Sequence, residues 1–142
     1  MKLELIEMKL KELFTSPKIR LDYEYSKGCL DITISNIKIE NIENIIIKIV
    51  CLDNGSAYID YIFDEISFIN TNTSNLINRI NSECAWIKAY LNKDNRLILN
   101  HTIIDAYNEE ILFKIITFIL NYVGSFKVIE LIKGIYLSTI AQ

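Results

Sequence analysis

The sequence predicts an α+β fold: a mainly antiparallel sheet of five to six strands, with an N-terminal helix, a short middle helix and a long C-terminal helix packed on it. Three patterns carry this expectation. Apolar and polar residues alternate through paired short runs joined by a few turn residues, the signature of β-hairpins. Leu3, Ile6, Leu10 and Leu13 recur at the spacing of one helix face. A long apolar stretch with periodic polar positions follows Asn108. The 142 residues suit one domain spanning 1–142.

The first helix is supported by Glu7 and Lys11, an i,i+4 pair, and stops at Thr15-Ser16-Pro17, because the residue before a proline avoids helical backbone. Ile19, Leu21, Tyr23 and Tyr25 then alternate with Arg20, Asp22 and Glu24, a half-buried strand. Ser26-Lys27-Gly28 turns the chain into a second strand, in which Leu30, Ile32 and Ile34 alternate with Asp31, Thr33 and Ser35. Asn41 to Asn44 reads as a polar connector, and Ile45 to Leu52 as a central strand. Asn54-Gly55 is a strong hairpin signal, with both turn residues expected at positive φ, and it returns the chain as a fourth strand, Ala57 to Phe63.

Residues 64–72 fit strand, helix or loop. Thr73 or Ser74 is the expected cap of the middle helix, which runs through Glu83 and buries Leu76, Ile77 and Ile80. Ala85 to Leu91 and Arg96 to Ile103 form a further hairpin around Asn92-Lys93-Asp94-Asn95. Asp105 and Asn108 both suit the cap of the long helix, whose first turn holds Glu109 and Glu110 and which stops at Gly124. Phe126 to Leu137 reads as a last amphipathic helix.

Composition narrows the functional classes. The formal net charge is -3, and the 15 Lys and Arg residues are scattered, so no basic stripe for nucleic acid is expected. The longest apolar stretch, Ile111 to Leu120, is too short for a bilayer and is interrupted by Lys114 and Thr117. A cytoplasmic protein is expected, because no signal segment is visible and Cys29, Cys51 and Cys84 form no CxxC pair and read as buried thiols. The bias toward Ile, Asn and Lys suits an AT-rich bacterial or phage genome.

No chemistry is written into the chain. His101 is the sole histidine and alternates with Leu97 and Leu99, so a zinc site is not expected. There is no nucleophile elbow, phosphate loop or dinucleotide fingerprint. Asp64-Glu65 and Glu109-Glu110 read as helix-start residues rather than a general acid/base pair. No catalytic, cofactor-binding or metal-ligating residue is assigned.

From Asn75 onward the order of elements becomes more specific. A helix carries Asn78 and Asn81, a strand ends in Tyr90-Leu91, and Asp94-Asn95 makes a turn. An apolar strand, Leu97 to Leu99, and a helix opening with Glu109-Glu110 follow. This order resembles the YbjN and type III secretion chaperone-like superfamily. The resemblance is topological. It departs from the usual pattern in having Asn95 where Gly is common and one extra strand before Asp64. It implies a small acidic, non-enzymatic protein that binds other polypeptides and often dimerises.

Two segments suit such a role. Trp86, Lys88 and Tyr90 share one side of their strand, opposite Ala85, Ile87, Ala89 and Leu91. Large side chains on both sides need a second covering surface, supplied either by the last helix or by a partner. The helix from Glu109 to Val123 has only the polar stripe Glu110, Lys114, Thr117 and Asn121, so Leu112, Phe113 and Ile116 are further candidates for an interface. The expected function is a chaperone-like or adaptor-like protein-binding domain, homodimeric. The alternatives are a small acidic phage- or mobile-element-encoded inhibitor that occludes a host protein, and a small enzyme with an unrecognised site.

Overall fold

The computed structural model describes residues 1–66 and 70–140. The chain runs α1 (Leu3–Leu13), β1 (Arg20–Ser26), β2 (Cys29–Ile39), β3 (Ile42–Leu52), β4 (Ala57–Phe63), α2 (Thr71–Glu83), β5 (Lys88–Leu91), β6 (Leu97–Ile103), α3 (Glu109–Val123) and α4 (Phe126–Ile140). The fold is α+β, as the alternating runs predict. The strands form one sheet in the order β1-β2-β3-β4-β6-β5, and every pairing is antiparallel.

Register explains which side of the sheet is buried. Leu30, Ile32 and Ile34 lie opposite Cys51, Ile49 and Ile47. The same row continues through Ala57, Ile59 and Tyr61 into β6. This inner face joins the apolar stripes of the helices in one contiguous buried cluster. Its strand and helix periods are the ones visible in the sequence. The outer face carries Asp22, Asp31, Lys48, Asp60, Asn100 and Lys88, interspersed with Ile46, Val50, Tyr58, Ile62, Ile98 and Tyr90. Among the described residues no helix lies across it, as an antiparallel sheet permits.

Several boundaries differ from the sequence reading. The stretch Asn41 to Asn44 is not a connector, because β2 and β3 form one long hairpin turning at Glu40-Asn41. Asn36, Glu40 and Asn44 have φ of 62°, 53° and 57°, and the ladder shifts register beside them. Asn tolerates that left-handed backbone, so polar residues here mark bulges inside a continuing ladder. At Asn54-Gly55 only Gly55 has positive φ, at 91°. The Asn54 side chain instead accepts a hydrogen bond from Ser56 N–H at 2.9 Å, making a four-residue loop. Gly55 is needed for a second reason: a Cβ there would lie 2.1 Å from the Ala106 carbonyl oxygen.

The middle helix starts earlier than Thr73. Asn70 is its cap, accepting from Thr73 N–H at 2.9 Å, while the Thr73 hydroxyl accepts from Asn70 N–H at 2.8 Å. This capping box satisfies two otherwise orphaned donors. In the stretch left open between 64 and 72, Asp64 and Glu65 form a turn and Ile66 is buried, while residues 67–69 lie outside the described residues. Asn108, not Asp105, caps α3, its side chain accepting from Ile111 N–H at 3.0 Å. The C-terminal helical region is split: α3 and α4 meet at a 53° bend, and no single helix among the described residues is long and apolar enough to cross a membrane.

Candidate functional site: an aromatic groove between β5, β6 and α3

The structure places the six interface candidates in four settings. Leu112 and Ile116 are fully buried in the core. They belong to the stripe Leu112, Ile116, Ile119 and Val123 that α3 presents to the interior, so they are removed as interface residues. The excess apolar girth of α3 is largely explained by burial under the rest of this chain. Phe113 is half-buried, with the Lys9 ammonium 5.3 Å from its ring centroid.

Trp86, Lys88 and Tyr90 do not form one surface. β5 begins only at Lys88, and Trp86 lies in the preceding turn. Alternation therefore does not govern Trp86. Its indole turns to the helix side and meets Phe118 of α3 edge-on, with centroids 5.6 Å apart and planes at 90°. Phe118 in turn stacks on Tyr122 at 6.2 Å. Lys88 and Tyr90 point to the outer face, where Tyr90 lies opposite Ile98. Burial, with a smaller contribution from Asp60, raises the pKa of the Tyr90 phenol.

A hydrogen bond anchors the turn. His101 Nδ1 lies 2.6 Å from the Trp86 carbonyl oxygen. A carbonyl only accepts, so Nδ1 carries the proton and donates. The imidazole thus ties the start of β5 to β6, on the inner-face row where alternation places it. Between these elements runs a groove of about 500 Å³, lined mainly by Trp86, His101, Ile104, Ile111, Ile115 and Phe118, with Lys114 beside them. Lys114 is paired with Glu110 at 3.2 Å. Trp86 is 51% exposed and Ile104 is 76% exposed, so the groove walls are apolar and open to solvent.

Ile104, Ile111 and Phe118 are absent from the sequence-derived candidates. Ile111 and Phe118 are seven residues apart, on one face of a helix and next to the polar stripe. That spacing was the available signal. Their facing Trp86 depends on how the turn before β5 folds. Among the described residues, no group of three or more His, Cys, Asp and Glu side chains is placed to hold a metal. Comparison with known proteins assigns no family: no protein-family model matches the chain, and no curated protein or solved structure is significantly similar to it.

Proposed function

We propose that this chain is a non-enzymatic polypeptide-binding domain, chaperone-like or adaptor-like, that holds apolar side chains of a partner between Trp86 and Phe118. The observation that carries the reading is the solvent-open aromatic groove. Its volume is in the range of small-molecule and side-chain pockets, and Trp is a favoured anchor at protein interfaces. One wall of the groove stands on α3, and the turn that carries Trp86 is held to β6 by His101 at the Trp86 carbonyl, so little ordering is lost when a partner docks. The resemblance to secretion chaperone-like proteins supports the same class.

The homodimer is part of this proposal. Ile104, Tyr107 and Phe126 add exposed apolar area, which a second copy or a foreign chain would cover. The deciding experiment compares wild-type bait with Trp86→Ala and Phe118→Ser baits in native lysate, alongside sedimentation of the purified proteins. Loss of the same bound polypeptide from both variants, or conversion of a dimer to a monomer, supports the groove. Retention of every partner and an unchanged mass would refute it.

A further inference from the structure

The two edges of the sheet are treated differently. At the β5 edge, the Asn81 carboxamide of α2 donates to the Ala89 carbonyl at 2.9 Å and accepts from Ala89 N–H at 2.7 Å. This two-way exchange is the pattern a paired residue of a neighbouring strand would make. Asn81 therefore stands where a seventh strand would begin, and closes that edge. β1, the other edge, has no such cover. Among the described residues no strand lies beyond it, and no backbone hydrogen bond outside the β1–β2 ladder reaches Leu21 to Tyr25.

The β1 edge is also longer, seven residues against four in β5. Its inner-face side chains are Leu21, Tyr23 and Tyr25. The Lys11 ammonium lies 4.2 Å from the Tyr23 ring centroid, and the Tyr25 hydroxyl donates to Glu7 at 2.6 Å. Met8 falls between Glu4 and Lys11 on the same helix ridge and is exposed, as are both tyrosines. The two tyrosine rings meet edge-on with centroids 5.9 Å apart, an aromatic surface beside the edge.

The outer-face side chains give the edge a charge preference. Glu24 lies directly opposite Asp31 in the β1–β2 register, two like charges in a cross-strand pair. Lys48 contacts Asp31 Oδ2 at 3.4 Å, but Asp31 Oδ1 is buried without a hydrogen-bond partner. Asp22 is paired with Arg20 at 2.8 Å, and Glu24 has no ion-pair partner among the described residues. Self-association over the full length of this edge is disfavoured: a two-fold antiparallel pairing centred on Tyr23, the midpoint of β1, sets Asp22 against Glu24 twice. Registers centred on Leu21 or Asp22 bring Arg20 opposite Asp22 or Glu24 but pair fewer residues of the strand.

We propose that β1 takes up an extended segment of another polypeptide as a seventh strand, apolar toward Tyr23 and Tyr25 and bearing Lys or Arg opposite Glu24 and Asp22, where Asp31 on β2 reinforces the negative charge. Main-chain bonds supply affinity in such strand addition, and alternate side chains supply specificity. This surface is separate from the Trp86 groove, so failure of one assignment leaves the other standing.

The test is an NMR titration of the full chain with two capped nine-residue peptides, one alternating Lys and Val, the other Glu and Val. The Lys peptide is expected to bind about tenfold more tightly, as two or so cross-strand charge contacts imply. It should also slow exchange of amides in β1. Glu24→Lys and, as a second exposed-edge variant, Asp22→Lys should each shift the preference toward the Glu peptide, while Trp86→Ala leaves it unchanged. Equal affinity for the peptides, binding of neither, protection at β5 or along the groove, or an unchanged preference in both edge variants would overturn the assignment. So would a wild-type dimer that Glu24→Lys dissociates, since the occupant would then be a second copy.

Discussion

Asn81→Leu removes the closure of the β5 edge while keeping a side chain of similar size. Two hydrogen bonds are lost, at 2.9 Å and 2.7 Å, both to the main chain of Ala89. Ala89 is 2% exposed, so its N–H and C=O regain water only where the leucine leaves room. Each intact bond contributes about 0.5–1.5 kcal/mol net, and a group left unsatisfied costs about 1–3 kcal/mol. Asn81 itself is at the surface, which favours the lower end. The expected loss is therefore roughly 1–3 kcal/mol. With a urea m-value of about 1–3 kcal/mol/M, the unfolding midpoint should fall by about 1 M. Hydrogen exchange at the Ala89 amide should accelerate, and the newly bare edge should promote self-association at high concentration. Asn81→Asp should destabilise at least as much, because a carboxylate then faces the Ala89 carbonyl without a donor. A midpoint shift below about 0.3 M, corresponding to less than about 0.6 kcal/mol at a mid-range m, together with an unchanged Ala89 exchange rate, would refute the edge-closure reasoning.

Other perturbations test other parts of the structure. Gly55→Ala should lower stability by roughly 2–5 kcal/mol in chemical denaturation, combining positive-φ strain with a clash on the Ala106 backbone. Gly28→Ala should cost only about 1–2 kcal/mol, since its φ is 69° and the obstructing atoms are the movable Asp53 carboxylate. Leu112→Ala should cost about 2–5 kcal/mol, as a cavity in a sealed core does. Trp86→Ala should cost about 0.5–1.5 kcal/mol, mainly the edge contact with Phe118, and comparable melting losses for the two would place Trp86 in the core instead. The Glu7 carboxyl is held below its ordinary 4.5, first by Lys11 and then by Tyr25. Its contribution to stability is present above about pH 4.5 and is lost as pH falls through the lower folded value, so Glu7→Gln should flatten the acid limb of a pH–stability curve. Burial pushes the Cys51 thiol up to about 12. A thiol reagent at pH 8 should therefore leave Cys51 unmodified until denaturant is added, and rapid native labelling there would contradict its burial.

Both periods were legible in the sequence because they are local. Alternation in Leu30, Ile32 and Ile34 assigns these residues to one sheet face wherever the strand is placed, and the spacing of Leu3, Ile6 and Leu10 does the same for α1. Turn chemistry was legible only in part. The polar run Asn41 to Asn44 reads as a connector, but a bulge and a connector use the same residues, and only cross-strand register distinguishes them. The candidate groove was half visible: Trp86 stood out, while its partner Phe118 lies 32 positions away in the sequence, on α3.

The sequence by itself determined the strand and helix order, the buried rows of α1 and β2 and the absence of familiar catalytic motifs. Tertiary structure decided how the hairpins adjoin. Pairing β6 with β4 sends β5 to the edge, where α2 brings Asn81 to Ala89, and leaves β1 bare at the other side. It also sank Leu112 and Ile116 while turning Trp86 toward the helix layer. Local spacing says which residues share a face. Whether that face meets a helix, a sheet edge or water depends on contacts between segments that the chain keeps far apart.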